Sequence, residues 1–158
     1  MGIFPTRILL AIDDSEEAEL AATKAVDLAH STDSELHVVH VGLAPNFLVE
    51  GSPGYSRKLY EEIEQESQEL LRKLTWRVKA TGGNVAGSYL RMGDVVLEIV
   101  SLARELEVDL IVMGCRGRSR IRRAIAGSVS DAVIRYAPCP VLVVRSHEST
   151  EISDRVTH

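Results

Sequence analysis

Short runs of apolar residues alternate along the chain with longer segments whose apolar residues recur every three or four positions. The short runs predict buried β-strands, whereas the longer segments predict amphipathic helices. The predicted strands span residues 7–12, 35–41, 85–91, 108–113 and 141–144. Because strands that alternate with helices pair in parallel, the pattern predicts an α/β domain, doubly wound, with helices on both faces of a parallel sheet.

The predicted helices differ in the character of their apolar faces. The first begins near Asp14 and buries mainly alanines, the second covers residues 55–81, the third begins at Asp94, and the fourth covers residues 129–136. In the second helix the apolar positions at helical spacing are Leu59, Ile63, Leu70, Leu74 and Val78. Trp76, the only tryptophan, is predicted to pack against the core rather than to offer a stacking surface.

Composition narrows the class of protein. The chain has 158 residues, a net charge of −5 and 45% hydrophobic residues, which is typical of one globular domain. The acidic balance argues against nucleic acid and membrane surfaces as partners. No apolar run approaches the ~20 residues of a membrane span, and we expect no secretion signal. Two cysteines predict no disulfide framework and hence the cytoplasm. We expect a domain over residues 1–146 and a polar, disordered tail over 147–158.

The segment that follows the fourth strand carries the strongest chemical signal. Gly114 and Gly117 allow tight turns and close approach of a ligand, because glycine has no Cβ. Gly127 and Ser128 precede the last helix, where Ser128 is predicted as the N-cap and Asp131 completes a capping box. Five arginines lie between the glycine sites: Arg116, Arg118, Arg120, Arg122 and Arg123. Helix N-termini and arginines favour phosphate; the alternative is a connecting turn with a solvated basic face.

The spacing Gly114-x2-Gly117-x9-Gly127-Ser128 resembles the nucleotide-binding signature of the universal stress protein family. The resemblance extends over residues 7–145 and includes the first strand with Asp13 at its end. It implies a single Rossmann-like domain whose five-stranded parallel sheet has the order 3-2-1-4-5. In that order Asp13 and Gly114 lie together at the topological switch point, where ligands of such sheets bind.

The resemblance also implies a bound adenine nucleotide. Adenine is expected near Ala11, Asp13 and Val41, the ribose near Asp13 and Gly114, and the phosphates along the arginine segment. The implied binding residues are Ala11, Asp13, Val41, Met113, Gly114, Arg116, Gly117, Arg118, Ser119, Arg120, Gly127, Ser128, Val129 and Ser130. ATP is the expected ligand, with Mg²⁺ beside Asp13 as an option. Arginines at 118 and 120, where relatives often have smaller or neutral residues, leave AMP, ADP and a cyclic nucleotide open.

Three functions are compatible with these residues. The preferred one is an ATP-binding regulatory protein that acts as a homodimer through the last strand, Val141, Leu142, Val143 and Val144. The second is a slow ATPase or phosphotransferase, although the sequence assigns no catalytic residue. The third is a protein-interaction dimer without a nucleotide. His37 and His40 fall on opposite faces of their strand, so they are not expected to bind a metal together.

Overall fold

The computed structural model describes residues 4–44, 51–115 and 128–146. Strands and helices alternate as the apolar pattern predicts. They are β1 (Arg7–Ala11), α1 (Glu16–Thr32), β2 (Glu35–Gly42), α2 (Arg57–Ala80), β3 (Val85–Met92), α3 (Val95–Glu105), β4 (Leu110–Gly114), α4 (Ser128–Tyr136) and β5 (Val141–Val144). The predicted tail over 147–158 lies outside the described residues and stays a prediction.

The five strands form one parallel sheet in the order β3-β2-β1-β4-β5, which confirms the predicted fold. The short apolar strands β1 and β4 lie at its centre, where both faces are covered by helices. Ile8, Leu9 and Leu10 of β1 are fully buried, as a central parallel strand requires. The more polar β3 and the short β5 form the two edges. The sheet order changes direction between β1 and β4, so a crevice opens beyond their carboxyl ends.

Two hydrophobic cores lie on opposite faces of the sheet. Side chains of alternate strand residues point to opposite faces, so Leu10 and Val112 join one core and Leu9 and Ile111 join the other. α1 and α2 cover the first core, and α3 and α4 cover the second. The small alanines of α1 allow that helix to lie close to β4 at Gly114.

Several local predictions are wrong. Trp76 is 69% exposed rather than packed, and Leu59 at the start of α2 is 39% exposed. Leu71 takes part in the core instead, because it lies one turn before Leu74 and Thr75 on the inner face. α4 begins at Ser128, so Ser128 is the first helical residue and not the N-cap as predicted.

The described residues include no helix long and apolar enough to cross a membrane.

Candidate functional site

The candidate site begins at the turn that follows β1. The backbone N–H of Ile12 donates to Val39 O at 2.9 Å, which extends the β1–β2 pairing by one residue. His40, which is 4% exposed, donates from Nδ1 to the carbonyl oxygen of Ile12 at 2.9 Å. The chain is therefore held on both sides immediately before Asp13. A buried histidine of β2 thus holds the backbone next to Asp13.

Asp13 occupies the turn between β1 and α1 and is half-buried. Its Oδ1 accepts a hydrogen bond from the backbone N–H of Ser15 at 2.9 Å, which fixes the carboxylate at the start of the helix. Ser15 is the N-cap of α1, and its hydroxyl accepts from Ala18 N at 3.2 Å. The carboxylate of Asp13 is thereby placed at the carboxyl end of β1 by a local turn, as the sequence predicts.

An apolar wall borders this crevice on the face covered by α3 and α4. Ala11 from β1, Val41 from β2 and Met113 from β4 belong to the second core, and Val129 from α4 packs against the same cluster. Met113 is 6% exposed, whereas Ala11, Val41 and Val129 are partly exposed. Four residues that are distant in sequence, and that the family resemblance assigned to one site, therefore belong to one apolar cluster that reaches the carboxyl end of the sheet. A wall of this kind suits the flat apolar surface of a base.

Packing against α1 requires a glycine at position 114. A Cβ on Gly114 would lie 2.7 Å from the backbone carbon of Glu17 and 2.9 Å from Ala18 N. Both atoms belong to the first turn of α1, which cannot move away without disturbing the core. The expectation that Gly114 allows close approach of a ligand stays a prediction, and packing gives an independent reason for the glycine. The glycine lets α1 approach β4, and this contact brings the ends of β1 and β4 together.

Glu17 is the residue that the sequence interpretation missed. It is 7% exposed, and its Oε2 is a buried atom without a hydrogen-bond partner within the described residues. Its Cβ lies 2.8 Å from the position of a Cβ built on Gly114, so it borders the same end of β4. The signal was present, because Glu17 lies four residues before Ala21 on the buried face of α1. A buried, unpaired carboxylate destabilises the fold unless something else compensates it.

The other wall of the crevice comes from the beginning of α4. Ser130 is 3% exposed, and its hydroxyl donates to Cys115 O across a long 3.5 Å, so it links α4 to the end of β4. Cys115 N donates to Val144 O at 2.8 Å, which extends the β4–β5 pairing. Arg145 follows β5. A hydrogen bond and charge interaction with the Cys115 thiol, together with the charge of Asp131, raise the pKa of Arg145 above its ordinary value.

The arginine segment is not part of the described structure. Of the residues predicted for the site, Arg116, Gly117, Arg118, Ser119, Arg120 and Gly127 lie outside the described residues, and so does the side chain of Ser128. The structure brings together Ala11, Asp13, Val41, Met113, Gly114, Val129 and Ser130 at the carboxyl end of the sheet.

Comparison with known proteins identifies the family. The model of the universal stress protein family matches residues 5–145. A protein named as a universal stress protein in Staphylococcus haemolyticus is 38% identical over 145 residues, which cover 91% of this chain and 87% of the relative.

Solved structures agree with this assignment. The structure of protein MJ0577 aligns with a TM-score of 0.76 at 26% identity, covering 93% of this chain and 100% of the other. A universal stress protein from Archaeoglobus fulgidus, solved in complex with dAMP, aligns with a TM-score of 0.64 at 25% identity over 90% of this chain and 99% of the other. The chain belongs to the universal stress protein family.

Proposed function

We propose that this protein is a regulatory protein that binds an adenine nucleotide in the crevice between the carboxyl ends of β1 and β4. ATP is the expected ligand. One observation carries the proposal: Asp13 follows β1 at the topological switch point, at the same carboxyl end of the sheet as the apolar residues Ala11, Val41, Met113 and Val129. The dAMP complex of the Archaeoglobus fulgidus relative supports an adenine nucleotide as the ligand class.

The described residues fit the parts of a nucleotide in different ways. The wall accepts the base, and the carboxylate of Asp13 accepts hydrogen bonds from ribose hydroxyls. The phosphates are assigned to the segment from Arg116 to Arg120 and to the N-terminus of α4. At Val129 and Ser130 the backbone N–H groups are the expected donors, because the Ser130 hydroxyl is buried against Cys115. Mg²⁺, when it accompanies ATP, is assigned to the side of Asp13.

Calorimetric titration of the full chain with ATP, ADP, AMP and cyclic AMP tests the proposal. We expect saturable binding, with ATP tightest because the arginine segment adds charge contacts to each further phosphate. Asp13→Ala should weaken binding by about tenfold, which corresponds to about 1.4 kcal/mol. Asp14→Ala is the matched control, since Asp14 is the exposed neighbour. Lack of binding by all four nucleotides, with the protein folded by circular dichroism, would refute the proposal.

The proposed assembly is a homodimer through β5, the strand formed by Val141, Leu142, Val143 and Val144. β5 pairs with β4 alone within the described residues, and Leu142 is 39% exposed. An apolar edge strand favours pairing with another strand. Leu142→Arg should convert a dimer to a monomer in light scattering, whereas Leu97→Arg, at an exposed position on α3, should leave the dimer intact. The cytoplasmic location stays a prediction of the sequence.

A further inference from the structure

A groove runs along the other edge of the sheet, between α2 and β3. It has a volume of about 340 Å³. Its lining residues are Gln68, Leu71, Arg72, Thr75, Trp76, Lys79 and Ser88. The six from α2 recur at helical spacing, so they form one stripe along the helix beside the strand. The hydroxyls of Thr75 and Ser88 lie 2.9 Å apart and join the helix to the strand, so the groove is formed in advance of any ligand.

Trp76 is the most exposed large apolar side chain of the described residues, at 69%. A tryptophan contributes a large apolar area when it is covered, and tryptophan and arginine are the residues that most often dominate the energy of protein interfaces. Nothing in the fold of the described residues requires an indole at this position, because the core beneath it is filled by Leu71, Leu74 and Val78. The exposed indole therefore indicates a partner.

The charge around Trp76 indicates the chemistry of that partner. The last nine residues of α2 include Arg72, Lys73, Arg77 and Lys79 and no acidic residue, in a chain whose net charge is −5. Lys79 forms no ion pair within the described residues, and Arg72 contacts Glu69 through a pair whose side chains are 67% and 74% exposed. Such exposed pairs contribute little. The helix dipole explains cations at this end of α2 but does not explain the tryptophan among them.

The strand that forms the floor of the groove has an open edge. β3 pairs with β2 from Leu36↔Val85 to Gly42↔Met92, with an irregularity after Leu36, and with no other strand within the described residues. Alternate backbone N–H and C=O groups of an edge strand point away from the sheet and accept an added strand. A groove between an edge strand and a helix is thus suited to an extended peptide.

We propose that this groove binds an extended acidic peptide of a partner protein, which adds a strand to β3. An apolar side chain covers Trp76, and carboxylates pair with Arg72 and Lys79. The four residues from Arg72 to Trp76 advance about 6 Å and the three from Trp76 to Lys79 about 4.5 Å, compared with about 6.6 Å for two residues of strand, and the long Lys79 side chain spans the difference. Arg72, Trp76 and Lys79 therefore match a peptide with an acidic residue, an apolar residue and a second acidic residue at alternate positions. This surface is independent of the proposed nucleotide site.

Fluorescence of Trp76 tests the proposal directly, because the chain has one tryptophan. The probe is the capped peptide Glu-Thr-Leu-Thr-Glu, which has the same side-chain order in both directions. We expect a saturable blue shift of the emission at sub-millimolar peptide. The peptide Lys-Thr-Leu-Thr-Lys should bind at least about tenfold more weakly, because it places like charges together. The acidic peptide with N-methyl groups on alternate amides should also bind weakly, since it cannot donate to β3.

Variants on α2 complete the test. Lys79→Glu and Arg72→Glu should each lower the affinity for the acidic peptide about tenfold. The control is Lys58→Glu, in the first turn of the same helix, which should change that affinity less than twofold. No saturable change of fluorescence by 2 mM peptide overturns the proposal, as does equal binding of the lysine peptide. Burial of Trp76 by concentration-dependent self-association would instead make a second copy the occupant and also overturn it. ATP titration of each variant keeps these outcomes separate from the nucleotide proposal.

Discussion

The two ends of the sheet use their polar residues in opposite ways. At the amino end, the carboxylate of Asp109 accepts from the backbone N–H groups of Thr6 and Arg7 and from the Thr6 hydroxyl, over distances from 2.9 to 3.1 Å. Arg7 in turn pairs with Glu35 at 3.0 Å, and Glu35 contacts His37 at 3.2 Å. These groups bind one another, and the network joins the beginnings of β1, β2 and β4.

At the carboxyl end, hydrogen bonds orient the polar groups around the turn between β1 and α1. Hydrogen bonds from Ser15 N and His40 Nδ1 orient Asp13 and the carbonyl of Ile12, and Glu17 Oε2 is buried with no hydrogen-bond partner within the described residues. The difference indicates that the amino end stabilises the sheet, and it supports the proposal that the carboxyl end binds a ligand. Polar groups that satisfy one another raise stability, whereas positioned groups with remaining capacity can bind.

The pKa values of the amino end follow from this network. Partial burial works to raise the pKa of Asp109, but the hydrogen bonds from Arg7 and Thr6 outweigh it and hold the pKa below its ordinary value. The hydrogen bond from His37 is the largest cause that lowers the pKa of Glu35. Burial opposes it, but the charges of Arg7 and His37 and the hydrogen bond from Arg7 keep the pKa below its ordinary value.

The largest effect is expected from Gly114→Ala, because the new Cβ would meet the backbone of α1 at 2.7 Å. The free energy of unfolding should fall by about 3 kcal/mol, as in other overpacked sites. Urea denaturation measures the change. Gly54→Ala is the control, because Gly54 has a φ of +82° and no atom within 4 Å of an added Cβ. It should lose only the strain of the left-handed backbone, about 1 kcal/mol. Equal losses would contradict the packing role of Gly114.

Asp109→Ala should remove the hydrogen bonds to Thr6 and Arg7 and lower the free energy of unfolding by about 2 kcal/mol. Because the folded pKa of Asp109 is lowered, this stabilisation is fully present above the unfolded pKa of about 3.9 and is lost as pH falls through the folded pKa. Urea denaturation of both proteins from pH 7 to pH 3 should show the difference shrink below about pH 4. Nucleotide affinity at pH 7 should stay unchanged; a loss would place a ligand role at the amino end.

His40→Leu perturbs the carboxyl end of the sheet, and His37→Leu on the same strand perturbs the amino end. Loss of the hydrogen bond from His40 to Ile12 O should lower the free energy of unfolding by about 1.5 kcal/mol. Because the turn at Asp13 is then held less firmly, the affinity for ATP should fall about fivefold. His37→Leu is the control on the opposite face, where the ring contacts Tyr89 and Glu35. It should lower stability without changing ATP affinity. The comparison of the two ends fails if both variants weaken ATP equally.

Glu17→Met has the smallest expected effect on the free energy of unfolding, and here the direction of the change is more informative than its size. The Oε2 of Glu17 is buried with no hydrogen-bond partner within the described residues, so an apolar side chain of similar length should raise the free energy of unfolding by about 1 kcal/mol. Glu19→Met, at an exposed position in the same turn, should change it by less than about 0.5 kcal/mol. A lower stability for Glu17→Met would show that the carboxylate is satisfied in solution.

The sequence predicted the fold because the signals that define it are local. Apolar runs as short as Leu110 to Met113 identify buried strands, and the glycine spacing leads through the family resemblance to the strand order. It also predicted where Asp13 lies, since a residue at the end of a central strand must face the crevice. What it missed depends on contacts between distant elements. Neither the alanine-rich face of α1 nor Gly114 indicates this packing alone. The glycine is explained by the position that a Cβ would take there, less than 3 Å from the backbone of Glu17 and Ala18.

The wrong predictions have a common physical origin. Apolar spacing on α2 identifies a helix but does not fix which of several overlapping faces is buried, so Leu71 was missed and Trp76 was placed inside. The inner face is chosen by the sheet, whose residues Val38 and Leu90 contact the helix through the first core. In the same way, the role of His40 depends on Ile12, a residue 28 positions away.

Backbone amide shifts during a titration with ATP test the central claim most directly. If the nucleotide binds at the carboxyl end of the sheet, we expect shifts in residues 11–15, 41, 113–115 and 128–131. We expect none at the amino end, in Thr6, Arg7, Glu35 or Asp109. Saturation should follow one binding constant that agrees with calorimetry. Shifts centred on the amino end, or no shifts at saturating ATP in the folded protein, would contradict the claim that the carboxyl end of this sheet is the nucleotide site.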